Sequence, residues 1–262
     1  MVTFTFEQLT GWLGQFLWPL VRVLALLGAS PLFSESSIPV TVKIGVGVML
    51  TLAIAPALGP MPAVPLTSYD ALLLLVQQLL IGLSMGMVMR FVFAAVQTAG
   101  EFVGLQMGLS FASLFDPSIG ANTAVLSRLL NIFAMLIFLA LDGHLLLLAA
   151  LVRSFQTLPV AVGTLDINGW GVLLQWASAI FNYGLLLALP LICALLTMNL
   201  AMGILNRSAP QLTVFAVGFP ISLIVGLVLL SVVLPQSGPF FEHIYQRGLQ
   251  TMSEMVDALA GR

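Results

Sequence analysis

Residues 71–89 read ALLLLVQQLLIGLSMGMVM, without one charged side chain. A helix rises ~1.5 Å per residue, so about 20 apolar residues cross a hydrocarbon core ~30 Å thick. This stretch is long enough, and it predicts helix continuing past Arg90 to Ala99. Working outward from it, five further apolar segments follow the same rule. They are 11–33, interrupted by Pro19 and Arg22; 38–58, with Lys43 near its start; 125–151, entered through Arg128 and holding Asp142 and His144; 170–203; and 210–234. The expectation is an all-α, polytopic membrane protein with about six hydrophobic helical segments, organised as a single domain over 1–262.

Composition supports that class. Of 262 residues, 60% are apolar and 7% charged, against about 45–50% and about 25% in soluble domains. Eight basic and ten acidic side chains cannot cover a soluble globule of this size, which argues against a soluble enzyme. The net charge of −2 supplies no basic footprint for nucleic acid. Cys193 is the single cysteine, so an internal disulfide framework and a Cys-rich zinc site are excluded. His144 and His243 stand far apart, so no metal-ligand spacing exists. Residues 1–10 carry only Glu7 and no basic n-region. The first apolar segment is therefore expected to stay in the chain rather than to be cleaved.

Pro31, Pro39, Pro56, Pro190 and Pro220 lie in or beside apolar runs. Proline removes a helix donor, and in lipid the freed carbonyl needs another partner. Tolerated kinks and helices broken into hairpins both fit this pattern. Residues 60–65, PMPAVP, form a stiff extended turn. Residues 160–168 form a small polar loop, and 236–262 read as a modest amphipathic helix. With six spans, Lys43, Arg90, Arg128 and Arg207 fall on one side, and Arg153, Arg247 and Arg262 on the other. That near balance leaves orientation open.

Gly82-Leu83-Ser84-Met85-Gly86 matches G-x-S-x-G. A hydrolase elbow needs a strand–turn–helix, whereas this motif lies inside an apolar helix. Two small residues four apart instead let helix backbones approach. Gly104 and Gly108 share the spacing and receive the same reading. Arg22, Arg128 and Asp142 sit in or near apolar segments, where a charge costs about 2.5–3.5 kcal/mol on insertion scales. Arg128 and Asp142 suit snorkelling near helix ends. Arg22, in mid-run, suits a polar pathway or a buried pair.

The most unusual stretch follows the third segment. Between Glu101 and Asp116 no residue is charged, although an aqueous connector should be polar. Met107, Leu109, Phe111, Leu114 and Phe115 are interspersed with Gly104, Gly108 and Ser110, before a turn at Asp116-Pro117-Ser118. Met is unbranched and fills irregular gaps. Such a strip can line or block a pore by excluding water. It can equally be the interfacial end of a helix, or a loop buried against a partner.

Four stretches together resemble the FliR family of flagellar biosynthetic membrane proteins, related to the SctT-type export subunits of type III secretion. The first is Arg22, then Pro31-Leu32-Phe33, Ser37-Ile38-Pro39 and Lys43-Ile44-Gly45. The second is Gly100-Glu101-Phe102-Val103-Gly104-Leu105-Gln106-Met107-Gly108, running into Phe115-Asp116-Pro117. The third is Gly143-His144 with Ser154-Phe155 and Leu158-Pro159. The fourth is Asn206-Arg207-Ser208-Ala209-Pro210-Gln211 with Phe215-Ala216-Val217-Gly218-Phe219-Pro220.

The resemblance implies a non-enzymatic subunit of an export gate in the bacterial inner membrane, at the flagellar basal body. It implies assembly with FliP-like and FliQ-like subunits, with FlhB-like and FlhA-like proteins alongside, and broken helical hairpins rather than six plain spans. Unfolded flagellar subunits pass through such a gate, lipid surrounds it, and no cofactor, catalytic residue, metal or nucleic acid is called for. The family also places a pore plug after the third segment. Here the matching stretch is 106–122, with Gln106, Met107, Gly108, Leu109, Ser110, Phe111, Leu114, Phe115, Asp116 and Pro117 as its plug residues. Arg22, Glu101, Arg128, Asn206, Arg207 and Gln211 are read as structural, the charged ones through interhelix or intersubunit pairs. The alternative is a stand-alone ion or small-molecule transporter. That class favours two related halves with discontinuous helices, and no internal repeat is evident.

Overall fold

The structure is a computed structural model, and it describes residues 6–35, 38–59, 61–62, 64–65, 67–109, 125–208 and 218–262. Among these residues the regular structure is helical, without strands: α1 (Phe6–Ala29), α2 (Val40–Ile54), α3 (Tyr69–Gln106), α4 (Val125–Ala140), α5 (Gly143–Thr157), α6 (Asn168–Trp176), α7 (Ala179–Ser208), α8 (Phe219–Gln236) and α9 (Gly238–Leu259), with a 3-10 turn at Ala55–Ala57. The all-α expectation holds.

The third segment becomes α3, longer than expected at 38 residues. The Ser68 hydroxyl accepts the Ala71 N–H at 3.2 Å, the bond expected of an N-terminal cap. Asp70 adds an acid to the first turn, where it meets the positive end of the helix dipole. No proline interrupts the helix, and it ends at Gln106 rather than Ala99. At ~1.5 Å per residue it is about 57 Å long, close to twice a ~30 Å hydrocarbon core.

Among the described residues, four stretches are long and apolar enough to cross a membrane: Val40–Ala57, Tyr69–Gln106, Asn168–Arg207 and Phe219–Gln236. A fifth is available if the bent pair α4 and α5 is one broken span. The first expected segment forms α1, which includes the apolar stretch Gly14–Ala29. The fourth expected segment breaks at Asp142, a non-glycine residue at φ 55°. Its carbonyl accepts the Leu145 and Leu146 N–H groups at 2.9 and 3.1 Å, opening α5. The fifth expected segment is likewise two helices, α6 and α7. Three of the prolines mark helix ends: Pro39 precedes α2, Pro56 sits in the 3-10 turn, and Pro220 lies in the first turn of α8, whereas Pro19 lies inside α1. Pro190 is inside α7.

The chain forms two compact units, and α3 and α9 each contribute residues to both. The first unit holds Met1–Phe91, Asp142–Ala177 and Gln246–Arg262. Its core includes Trp18, Leu26, Leu27, Leu74, Ile81 and Met85. Here Gly82 and Gly86 act as the small-residue reading requires. A β-carbon on Gly82 would stand 2.3 Å from the Arg22 carbonyl oxygen, and one on Gly86 2.5 Å from the Ala29 β-carbon. Glycine is thus what allows α1 to lie on α3. On α2, Gly47 receives Leu24 of α1 in the same way, at 2.4 Å. Trp176 donates its indole N–H to the Val88 carbonyl at 3.0 Å, so the one polar atom of a buried ring is satisfied.

The second unit holds Val92–Leu141 and Ser178–Tyr245. Its core includes an aromatic cluster. Phe93 and Phe138 meet edge to face at 5.6 Å, Phe138 and Tyr245 at 5.3 Å, and Phe241 stacks on Tyr245 at 6.1 Å. These spacings lie in the favourable range for ring pairs. The Tyr245 hydroxyl donates to the Ala134 carbonyl at 2.6 Å. Gly100 and Gly184 bring α4 and α7 against α3, with hypothetical β-carbons 2.4 Å from Ser127 Cα and 2.9 Å from the Ala95 carbonyl oxygen.

The tail is a helix, but more deeply packed than a modest surface element. Phe241, Ile244, Tyr245, Met252, Met255, Val256 and Leu259 are buried, following the i, i+3, i+4 spacing of one helix face. Arg247 and Glu254 pair at 3.3 Å on the opposite face. By contrast, α2, α7 and α8 leave long apolar surfaces uncovered within the chain, including Met49, Leu200 and Val228. Surfaces of that kind suit lipid or neighbouring apolar helices.

Candidate functional site

The C-terminal end of α3 is built by a glycine signal that the sequence displays openly. Gly108 has φ 78°, a backbone shape that costs an L-residue about 1–2 kcal/mol and glycine almost nothing. Its N–H donates to the Leu105 carbonyl at 3.1 Å, and the Leu109 N–H donates to the Gly104 carbonyl at 3.0 Å. This crossed pair is the Schellman arrangement, which ends a helix while satisfying its last carbonyls. The Gly104–Gly108 pair therefore serves as a helix stop. Among the described residues, a β-carbon on Gly104 would meet Leu109 Cδ1, at 3.8 Å.

The stop is fastened to α8 within the second unit. Met107 is buried, and its side chain occupies the space a β-carbon on Gly226 would need, with Cε, Cγ and Sδ 2.6–2.7 Å from that position. One turn earlier on α8, the Ser222 hydroxyl lies 3.2 Å from the Met107 carbonyl oxygen and 2.9 Å from that of Phe219, so its proton is shared between them. A carbonyl at a helix C-terminus has no partner inside its own helix, and Ser222 supplies one. Sequence reasoning missed both Ser222 and Gly226. The available signal was a glycine inside an apolar run, which marks close approach but not what approaches.

Of the ten predicted plug residues, four are described. Gln106, Gly108 and Leu109 are half-buried and Met107 is buried. Ser110, Phe111, Leu114, Phe115, Asp116 and Pro117 lie outside the described residues, as does Gln211.

In the first unit, Arg22 forms the principal polar node. It is fully buried. Its Nε donates to Gln78 Oε1 at 2.8 Å, Nη1 to the Ser154 carbonyl and hydroxyl oxygens at 3.1 and 3.2 Å, and Nη2 to the Leu158 carbonyl at 3.0 Å. The guanidinium carbon lies 4.1 Å above the Phe155 ring centre. No carboxylate pairs with it among the described residues. The charge is held instead by the carbonyls at the C-terminus of α5, where the helix dipole is negative, and by the π-face. Arg22 and Ser154-Phe155-Leu158 belong to two of the four motif stretches and meet here in space. Gln78 and Leu158 also line a groove of about 630 Å³, so Arg22 braces part of its wall.

The remaining charged residues behave differently. Glu101, Arg128 and Arg207 are exposed, and Asn206 is half-buried. Arg207 lies in the last turn of α7, where a cation complements the dipole. None of the three exposed charges forms an ion pair among the described residues. No three His, Cys, Asp or Glu side chains gather there into a metal-holding group.

Comparison with known proteins places this geometry in context. Residues 13–248 match the family model for bacterial export proteins, family 1. The flagellar biosynthetic protein FliR of Escherichia coli (strain K12) is 48% identical over 259 residues, covering 99% of each chain. FliR of Pectobacterium carotovorum subsp. carotovorum is 46% identical, again over 99% of each. FliR of Bacillus subtilis (strain 168) is 28% identical over 94% of this chain and 95% of its own.

Proposed function

Since the chain belongs to the bacterial export proteins of family 1, and among them to the FliR family, we propose that it is a multi-pass membrane component of flagellar protein export and that the strip after α3 plugs a protein-conducting pore. The observation that carries the second part is the junction at Gly108. A long, continuous helix is terminated sharply by a left-handed glycine, and a charge-free run of Leu, Ser and Phe follows at once. A segment meant for water would be polar. One meant to exclude water and ions from a channel is apolar.

The reading gives the mechanism no chemical step. Leu109, Phe111, Leu114 and Phe115 occlude the conduit by size and hydrophobicity, and an unfolded chain in transit displaces them. Apolar contact is non-directional, so polypeptides of varied sequence pass without matched hydrogen bonds. The uncovered faces of α2, α7 and α8 support assembly with other membrane subunits of FliP-like and FliQ-like kind, alongside FlhB-like and FlhA-like proteins, in the bacterial inner membrane. The fully buried Arg22 supports a structural role, holding α1, α3 and α5 together.

The test is replacement of residues 110–122 by a Gly/Ser linker. The assembly should purify with its partners at normal yield, and ion leakage through the membrane should rise. Normal assembly with unchanged conductance overturns the plugging role. Purification of the chain alone, with uptake of a small solute, favours the transporter alternative.

A further inference from the structure

Resting on the plugging reading, we infer that Met107, Ser222 and Gly226 form a releasable anchor, in which α8 positions the root of the plugging strip. Met107 is counted above among apolar residues available to a pore. Yet it is buried within its own chain, and its side chain fills a notch in α8 that exists only because position 226 lacks a β-carbon. Next to the notch, Ser222 holds the Met107 main chain. Met107 is also the residue that joins the last turn of α3 to Gly108. Whatever holds Met107 therefore sets the point and direction at which the strip departs.

The chemistry of the contact suits release rather than permanent locking. Methionine is flexible and makes no directional bond through its thioether. The single hydroxyl proton of Ser222 is shared with Phe219, so losing the Met107 carbonyl leaves Ser222 with a partner already in place. Nothing charged has to be desolvated on return. Met107, Ser222 and Gly226 are thus positioning residues for the plug, while Phe111, Leu114 and Phe115 do the blocking. A shift of α8 would reach the root of the strip through this contact.

Gly226→Ala tests the anchor directly. The added methyl would stand 2.6–2.7 Å from Met107 Cε, Cγ and Sδ, so that side chain has to leave the notch. With the complex assembled, leak should rise by a factor of roughly 5–30, the shift expected from losing one well-packed apolar contact. A second variant covers failure to assemble. Gly226 Cβ would lie 2.7 Å from Met107 Cγ, which bounds the separation of the two β-carbons to roughly 2.7–4.2 Å, a span that overlaps the disulfide range of ~3.5–4.5 Å. In a Cys193→Ser background, Met107→Cys with Gly226→Cys should cross-link under oxidant and stop secretion of flagellar subunits, and reductant should restore it. A merely structural contact would not give that reversal. If Gly226→Ala assembles with wild-type leak and the oxidised pair secretes normally, while the 110–122 linker leaks, the anchor is wrong and the plug stands. If the linker itself does not leak, the plugging reading fails first.

Discussion

Replacing Arg22 gives a prediction that can be worked through from its contacts. Arg22→Ala removes four hydrogen bonds, three of them to groups on or just after α5. Their loss is uneven. The Ser154 carbonyl keeps the Leu158 N–H at 2.9 Å, and the Ser154 hydroxyl keeps the Leu151 carbonyl at 2.6 Å. Gln78 Oε1 and the Leu158 carbonyl lose the partner described above. Stranding the buried Gln78 acceptor costs about 1–3 kcal/mol, and the part-buried Leu158 carbonyl at the groove costs less. Loss of the contact with Phe155 adds about 0.5–2 kcal/mol, and an unfilled space adds more. The total is about 3–6 kcal/mol, a large share of a typical domain's ~5–15 kcal/mol.

Because no carboxylate pairs with Arg22 among the described residues, removing it strands no buried charge. That separates this site from a buried ion pair, where deleting one partner leaves the other exposed to the full penalty. Arg22→Met, which refills the volume, should therefore recover roughly half the loss, while Arg22→Lys should remain poor because one ammonium cannot span the forked acceptors. The assay is thermal unfolding and limited proteolysis of the detergent-solubilised complex, read against co-purification yield. Wild-type stability of Arg22→Ala would refute the reasoning. So would rescue of Arg22→Ala by neutralising a carboxylate in a partner subunit, which would show that an ion pair had been the real support.

Gly108→Ala should destabilise the helix stop by about 1–2 kcal/mol, and Gly108→Asn by less, since Asn tolerates a left-handed backbone; amide exchange at Gly108 and Leu109 reads this. Gly82→Leu should separate α1 from α3 and abolish accumulation of the chain, because the close atom is the Arg22 carbonyl oxygen rather than a movable side chain; normal accumulation would contradict the packing. Tyr245→Phe should cost about 1 kcal/mol through the lost bond to the Ala134 carbonyl, with the ring contacts intact, measured as a small drop in melting temperature.

Helix class was legible because apolar runs and their breakers are local features. The tail was legible too, since Phe241, Ile244, Tyr245, Met252 and Met255 follow one helix face. The break at Asp142 was not. Hydropathy averages over a window, and a single residue with a left-handed backbone leaves the mean of 125–151 unchanged. The Gly82–Gly86 and Gly104–Gly108 pairs look identical in sequence and take different places. The first sits within a helix against a neighbour, while the second ends one, and only the backbone angle at Gly108 separates them. Arg22 was recognised as out of place in its run, but its partners lie 56 to 136 residues away, beyond any spacing rule. Met107 was read as a pore residue because its chemistry suits one. The notch that takes it depends on Gly226, whose role follows from tertiary approach alone.

The most direct measurement is site-specific photocross-linking from Phe111 in assembled complexes stalled with a flagellar subunit in transit. The account predicts cross-links from Phe111 to the exported polypeptide, and to pore-lining partners when export is idle. Cross-links confined to lipid in both states would contradict it.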